Sequence, residues 1–284
     1  MPYLRTSDGQ LYYQVQGDGP PLLLLHGLSR SSRFWEGIDR TLSRHYRIIT
    51  LDSRGLGRSC KKARWSDQTL DLAKDSLRIL DRLKIRQAHV MGQSLGGMIA
   101  LTLAAHAPGR VLSTTVVNSS SGGTRTIRVT PLALGAMAVG AIARPLLGPV
   151  MVHTCTGPES QAAQKKFFLE VYRNALEQEG LPVMTTAKQM ITALRFRAAK
   201  EGVHQIRCPT LIIYGDRDRF VPAKNSLALF RMLPQAELVS VPGAGHELSM
   251  DQPEALCELL NTFISKNSPP GQAESSTTRQ KCYG

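Results

Sequence analysis

Ala88-His89-Val90-Met91-Gly92-Gln93-Ser94-Leu95-Gly96-Gly97-Met98-Ile99-Ala100-Leu101 is the stretch that decides how this chain folds. Before Gly92 the run is apolar and strand-like; after Gly96 it is helical in pattern. A strand that turns at once into a helix through Gly-x-Ser-x-Gly crowds the backbone around its central residue, so the flanking positions must be small. The turn lifts the Ser94 hydroxyl above the sheet and sets it at a helix N-terminus. Unpaired N–H groups there favour developing negative charge. The pentapeptide alone is equally well read as an ordinary turn, so the rest of the chain must decide.

A serine hydroxyl attacks poorly until a base takes its proton, and the base needs an acid to orient it. Candidates for both lie downstream, each just past a strand-like run. Thr210-Leu211-Ile212-Ile213-Tyr214 ends in Gly215-Asp216-Arg217-Asp218-Arg219-Phe220-Val221-Pro222. Glu237-Leu238-Val239-Ser240-Val241 ends in Pro242-Gly243-Ala244-Gly245-His246-Glu247. The order Ser, Asp, His is the one that a strand-turn-helix serine site uses.

In these motifs the chain resembles the α/β-hydrolase fold family, nearest in pattern to compact bacterial esterases and enol-lactonases. The resemblance runs from Leu11 to Ile264. His26-Gly27, after Leu22-Leu23-Leu24-Leu25, is similar to the family's oxyanion loop. Asp52-Ser53-Arg54-Gly55-Leu56-Gly57-Arg58-Ser59 is similar to the turn after the following strand. Gly215-x-x-Asp218-x-x-x-Pro222 matches the acid loop and Gly245-His246 the base loop.

The resemblance implies Ser94 as nucleophile, His246 as base and Asp218 as orienting acid. Asp216 is the rival acid, but Asp218 fits the spacing ahead of Val221-Pro222. Some members carry the acid after the preceding strand; here Asn118 and three serines stand there instead. The backbone N–H groups of Leu28 and Leu95 are the expected oxyanion hole. Relatives with Asp at the elbow act on haloalkanes and epoxides, so Ser94 points to acyl chemistry. His26, Asp52 and Arg54 read as structural, as do His89, His106, His153 and His204. Trp35 is open between lining the pocket and pinning its loop.

Composition sets outer bounds. The 284 residues suit one domain with an insertion, and 42% hydrophobic content supports a sizeable core. The start of the chain is polar and does not read as a signal peptide. No apolar run is long enough for an integral membrane segment. Five scattered cysteines suit reduced thiols and a cytoplasmic setting. No Gly-rich phosphate loop or metal-ligand spacing stands out, so neither cofactor nor metal is expected. The net charge is +13, with +8 in residues 1–120, +6 in 121–200 and −1 in 201–284. The densest patch is Arg58-Ser59-Cys60-Lys61-Lys62-Ala63-Arg64. Without aromatic interleaving or a nucleic-acid motif it reads as solvated surface, and no nucleic-acid partner is expected.

Strand-like runs alternate with helical ones as far as Val117, and alternation implies a mostly parallel sheet covered on both faces. From Ser119 to Ile206 no strand is convincing, and helices are expected near 131–143, 160–179 and 183–200. An insertion at this point resembles the family's helical cap. The expected organisation is a core of residues 1–118 and 207–265, a helical cap insertion of 119–206, and a disordered tail of 266–284. The apolar stretch Leu132–Leu147, with Met137 and Met151, suits a pocket roof and ordinary core equally.

Three functions fit. The first is cofactor-free hydrolysis of a small-molecule ester or lactone, with perhydrolysis as a side activity. The second is C–C bond hydrolysis of a ring-cleavage product, for which Arg125, Arg128 or Arg195 would have to bind a carboxylate. The third is a silent ligand-binding module, which has no need of all three catalytic groups. The oligomeric state is not legible in the sequence.

Overall fold

The computed structural model describes residues 2–122, 144–180 and 182–268. Arg125, Arg128, Met137, Cys282, the helix expected near 131–143 and tail residues 269–284 lie outside the described residues.

Among the described residues eight strands form one sheet: β1 (Tyr3–Thr6), β2 (Gly9–Gln16), β3 (Pro21–Leu25), β4 (Arg47–Leu51), β5 (Ala88–Gln93), β6 (Val111–Val117), β7 (Thr210–Gly215) and β8 (Ala236–Val241). Their order is β1-β2-β4-β3-β5-β6-β7-β8. The β1–β2 and β2–β4 pairs are antiparallel, and all others are parallel. This is the α/β-hydrolase fold that the sequence led us to expect.

Side-chain alternation along a strand explains the two layers of core. On β3, Leu23 and Leu25 pack on one face with Val90, Val116 and Ile212. Leu22 and Leu24 pack on the other with Met91, Val117, Leu211 and Ile213. Helices α2 (Thr69–Arg82) and α3 (Leu95–His106) cover the first face. In α2 the buried positions Leu72, Ala73, Ser76, Ile79 and Leu80 form one helical stripe. By contrast, α3 is buried from Leu95 through Ala104, because it lies between the sheet and α2. The second face is covered by the short α1 (Asp39–Leu42) and by the C-terminal helix, which buries Leu256, Cys257, Leu260, Phe263 and Ile264.

Between β6 and β7 run α4 (Arg144–Cys155), α5 (Ala162–Glu179) and α6 (Val183–Arg195). Helices α5 and α6 fall within two of the expected helical stretches; α4 was not anticipated. Met151, Val152, Phe168, Val171 and Tyr172 from α4 and α5 cluster with Phe34, Phe220 and Met250. Those last three stand on the segments that follow β3, β7 and β8 at the carboxyl edge of the sheet, so these helices sit over that edge. After β7 come α7 (Lys224–Met232), α8 (Leu248–Asp251) and α9 (Pro253–Asn267). Helix α9 extends two residues into the segment expected to be tail.

The dense basic run is largely paired. Arg58 meets Asp52 and lies 3.7 Å over the Tyr12 ring, while the buried Lys61 ammonium bridges Asp8 and Asp75 at 3.0 and 3.2 Å. Among the described residues no helix is long and apolar enough to cross a membrane.

Candidate active site

Strand register builds the site first. Leu25 pairs with Gly92, Gln93 with Val117, Val117 with Ile213 and Gly215 with Val241. The loops after β3, β5, β6, β7 and β8 therefore open side by side, on the edge where open α/β sheets hold ligands.

Ser94 joins β5 to α3 at φ 56 and ψ −117, a conformation that a residue with a Cβ adopts only when its surroundings enforce it. Two glycines make it possible. A Cβ on Gly92 would stand 2.1 Å from the Gly96 carbonyl oxygen, and one on Gly96 would stand 1.9 Å from that of Leu25. The turn is pinned from β6: the Ser94 N–H donates to the Val117 carbonyl at 2.8 Å, and the Ser119 hydroxyl donates to the Ser94 carbonyl at 2.7 Å.

The structure brings Ser94, His246 and Asp218 together. His246 Nε2 lies 3.1 Å from Ser94 Oγ, and Nδ1 lies 2.7 Å from Asp218 Oδ2. Asp218 Oδ1 accepts the N–H groups of Phe220 and Val221 at 2.7 and 2.8 Å, which fixes the carboxylate plane. A carboxylate only accepts, so Nδ1 carries the proton and Nε2 is free to accept from the serine. Phe220 shields the imidazole, with 5.2 Å between ring centroids. Burial works against the charged ring, but the Asp218 charge and hydrogen bond outweigh it and raise the His246 pKa above its ordinary value.

Asp216 stands apart from this line. Its Oδ1 accepts the Gly243 N–H at 2.8 Å and it lies near Arg217, so it braces the turn that precedes the base loop.

The loop after β3 passes over the nucleophile: a Cβ on Gly27 would lie 3.3 Å from that of Ser94. Among the described residues neither the Leu28 nor the Leu95 N–H has a hydrogen-bond partner. Leu95 opens α3, where such groups are normally left unpaired. His26 holds this loop. Its Nε2 accepts the Ser53 N–H at 3.2 Å and its Nδ1 donates to the Gly27 carbonyl at 2.9 Å. Burial lowers its pKa, so it is a neutral brace. From the opposite side Gln189 of α6 accepts the Ser29 N–H at 2.9 Å, and Thr186 donates to the Ser29 hydroxyl at 2.8 Å.

The remaining candidates are structural. Asp52 accepts the N–H groups of Ser32 and Arg58, each at 2.8 Å. Arg54 pairs with Asp67 and Asp75 at 2.6 and 2.7 Å. Trp35 is 2% exposed and packs on the Leu22–Leu24 face, so it pins the loop. Arg195 is exposed and donates to the Trp65 carbonyl. Among the described residues no group of three or more His, Cys, Asp or Glu is arranged to hold a metal ion.

The roles of two residues escaped the sequence reading. Asn118, at φ 47, donates to the carbonyls of Gly245 and His246 at 2.9 and 2.8 Å and accepts the Gly215 N–H at 2.9 Å. It ties the ends of β6 and β7 to the base loop. Asp251 accepts the N–H groups of Gly157 and Gly245 at 2.9 and 2.6 Å, tying the same loop to the end of α4. A polar residue at a strand end and a carboxylate one turn past the histidine were the available signals.

The comparisons agree with this architecture. The sequence model of the family described as "alpha/beta hydrolase fold" matches residues 20–253. The chain is 30% identical over 279 residues to the "Putative carbamate hydrolase RutD" of Azorhizobium caulinodans, covering 94% of this chain and 99% of that protein. The enol-lactonase from Burkholderia xenovorans LB400 superposes with a TM-score of 0.77 at 21% identity, over 93% of this chain and 100% of that one. A thermophilic esterase from Thermogutta terrifontis superposes at 0.75 with 20% identity, over 92% and 95%.

Proposed function

This chain belongs to the α/β-hydrolase fold family, and from that premise we propose that it is a serine hydrolase cleaving a small carboxylic ester or lactone. The observation that carries the reading is the unbroken line Ser94–His246–Asp218, with both hydrogen bonds at 3.1 Å or less.

In the first half-reaction Ser94 Oγ attacks the acyl carbonyl while His246 Nε2 takes its proton. The resulting oxyanion lies between the Leu28 and Leu95 N–H groups. Collapse breaks the bond to the leaving alkoxide, which takes the proton from His246. Water, deprotonated by the same nitrogen, then attacks the acyl-enzyme. The acid leaves and Ser94 regains its proton. Asp218 holds the tautomer throughout. In a lactone the leaving alkoxide stays tethered to the acid product. These steps require neither cofactor nor metal. The helices between β6 and β7 act as a cap, residues 119–206, that encloses the substrate and favours short or medium acyl chains.

A second reading is hydrolysis of a carbamate. It is supported by the relatives named for that activity, which match over nearly their whole length. The same attack on a carbonyl bearing nitrogen gives a carbamoyl-enzyme. C–C bond hydrolysis would need a carboxylate-binding arginine: Arg195 is exposed and donates to the Trp65 carbonyl, and Arg125 and Arg128 lie outside the described residues.

The test is a panel of p-nitrophenyl esters from acetate to laurate, with simple lactones and carbamate esters, run beside Ser94→Ala. Turnover of short esters or lactones, lost in Ser94→Ala, is expected. Turnover of carbamates alone would replace the first reading with the second. Preference for laurate with activation at a lipid interface would overturn the enclosed pocket.

A further inference from the structure

Beside the catalytic histidine lies a buried ion pair that acyl transfer does not use. The Glu247 carboxylate receives Arg30 Nε at 3.2 Å on one oxygen and the Gln93 amide on the other. Both charged side chains are less than a tenth exposed. Their places in the chain are telling. Gln93 immediately precedes Ser94, Glu247 immediately follows His246, and Arg30 is two residues past Leu28. One small network thus abuts nucleophile, base and oxyanion loop.

The network also reaches into the inserted helices. The Arg30 guanidinium lies 4.6 Å over the Phe34 ring and 5.2 Å over Tyr172 of α5. The Glu247 N–H donates to the carbonyl of Cys155, at the end of α4, at 2.9 Å. Desolvating two ions cancels much of what their attraction returns, and replacing a buried ion pair by apolar side chains of similar volume is often neutral or stabilising. Stability alone therefore does not account for the pair.

We propose that Glu247 and Arg30 are positioning residues for the catalytic base, clamping the His246 loop against the nucleophile strand and the α4–α5 helices. The inference rests on the reading of Ser94, His246 and Asp218 as a triad. Glu247 fixes the loop through Gln93 and Arg30, and its charge favours the imidazolium, whereas Arg30 opposes it. Other groups facing the imidazole and the ion pair are Asp218 on the loop after β7, Cys155 on α4 and Tyr172 on α5. Burial raises the pKa of both Cys155 and Tyr172, which keeps them neutral.

The experiment follows the rate of Ser94 labelling by a fluorophosphonate across pH, using the full chain. This readout needs no knowledge of the natural substrate. Labelling rises as His246 loses its proton. Glu247→Gln removes the charge that favours imidazolium, so the rise moves to lower pH. Arg30→Met leaves Glu247 unopposed, so the rise moves to higher pH. Each shift is expected to be about half a pH unit or more. The plateau rate should fall roughly tenfold in both, because the base is no longer held in line. Arg30→Lys should restore the wild-type position of the rise.

The double variant Arg30→Met/Glu247→Gln leaves no ion unpaired and guards against misfolding of the single variants. Its rise should return close to the wild-type pH while its plateau stays low. Single variants that shift the same way, or not at all, overturn the proposal, as does a double variant with a wild-type plateau. Failure of the triad reading looks different: the wild-type protein is then not labelled, or Ser94→Ala is labelled as well.

Discussion

The carboxyl edge of the sheet and the helices between β6 and β7 hold the site by different means. On the edge, main-chain pairing does the positioning. Parallel ladders fix the ends of β3, β5, β6, β7 and β8 in register, and each functional residue lies within a few residues of such an end. Helix α6 is tethered by single side-chain bonds instead: Gln189 to Ser29, Lys188 to the Ala63 carbonyl and Thr192 to the Asp67 carbonyl. Repeated backbone bonds form and break together, whereas isolated side-chain bonds can be lost one at a time. The edge is thus built for precision and α6 for adjustment. Substitutions of the catalytic groups on the edge should abolish activity without unfolding the protein, and substitutions in α6 should tune it.

Ser94→Ala is the harshest break on the edge side. It removes the nucleophile but keeps the turn, so the fold should survive. Ester turnover should fall by about 10⁴-fold or more, because members of a triad act as a unit. Circular dichroism beside the kinetic assay checks both halves.

Asp218→Asn comes next, with a loss of about 10³- to 10⁴-fold in kcat, since an amide can stabilise the wrong imidazole tautomer. Asp216→Asn serves as its internal contrast. Asp216 only braces the Gly243 turn, so a loss of less than about tenfold is expected. If Asp216→Asn were the crippled variant, the acid would be misassigned.

This contrast also shows what the sequence could reveal. Ser94, Asp218 and His246 were legible because each sits in a short glycine-bearing loop directly after an apolar run. The sheet was legible for the same reason, except β1, a short and partly exposed edge strand with no apolar run to mark it. Asn118 and Asp251 were not legible, because their work is to bond main-chain groups far away in sequence. The Arg30–Glu247 pair joins residues 217 positions apart, and nothing local marks either partner. Helix α4 was hidden by Gly148 and Pro149 within it.

The pH profile sharpens the comparison with a smaller effect. Asp218 raises the His246 pKa despite burial. The base works only when deprotonated, so kcat/KM should be low in acid and rise through a value above the ordinary imidazole 6.5. Asp218→Asn removes the charge that raises it, and the residual activity should rise at lower pH than in the wild-type protein. A residual profile that keeps the wild-type midpoint would show that Asp218 does not set the charge state of the imidazole.

Gln189→Ala should have the smallest effect and probes the helical side alone. Gln189 is buried on α6 and accepts the N–H of Ser29, which sits at φ 60 beside the expected oxyanion donor Leu28. Removing the amide leaves that N–H without its partner, at a cost of about 1 kcal/mol. Part of the cost should appear as stability, lowering Tm by a few degrees. The rest should appear in kcat/KM as a loss of up to roughly fivefold, because the Leu28 N–H is then less well aimed at the developing oxyanion. The pH midpoint should not move, since Gln189 does not touch His246 or Asp218. A loss as large as that of Asp218→Asn would mean that α6 fixes the oxyanion loop as rigidly as the sheet fixes the triad, and the division between a precise edge and an adjustable α6 would fail.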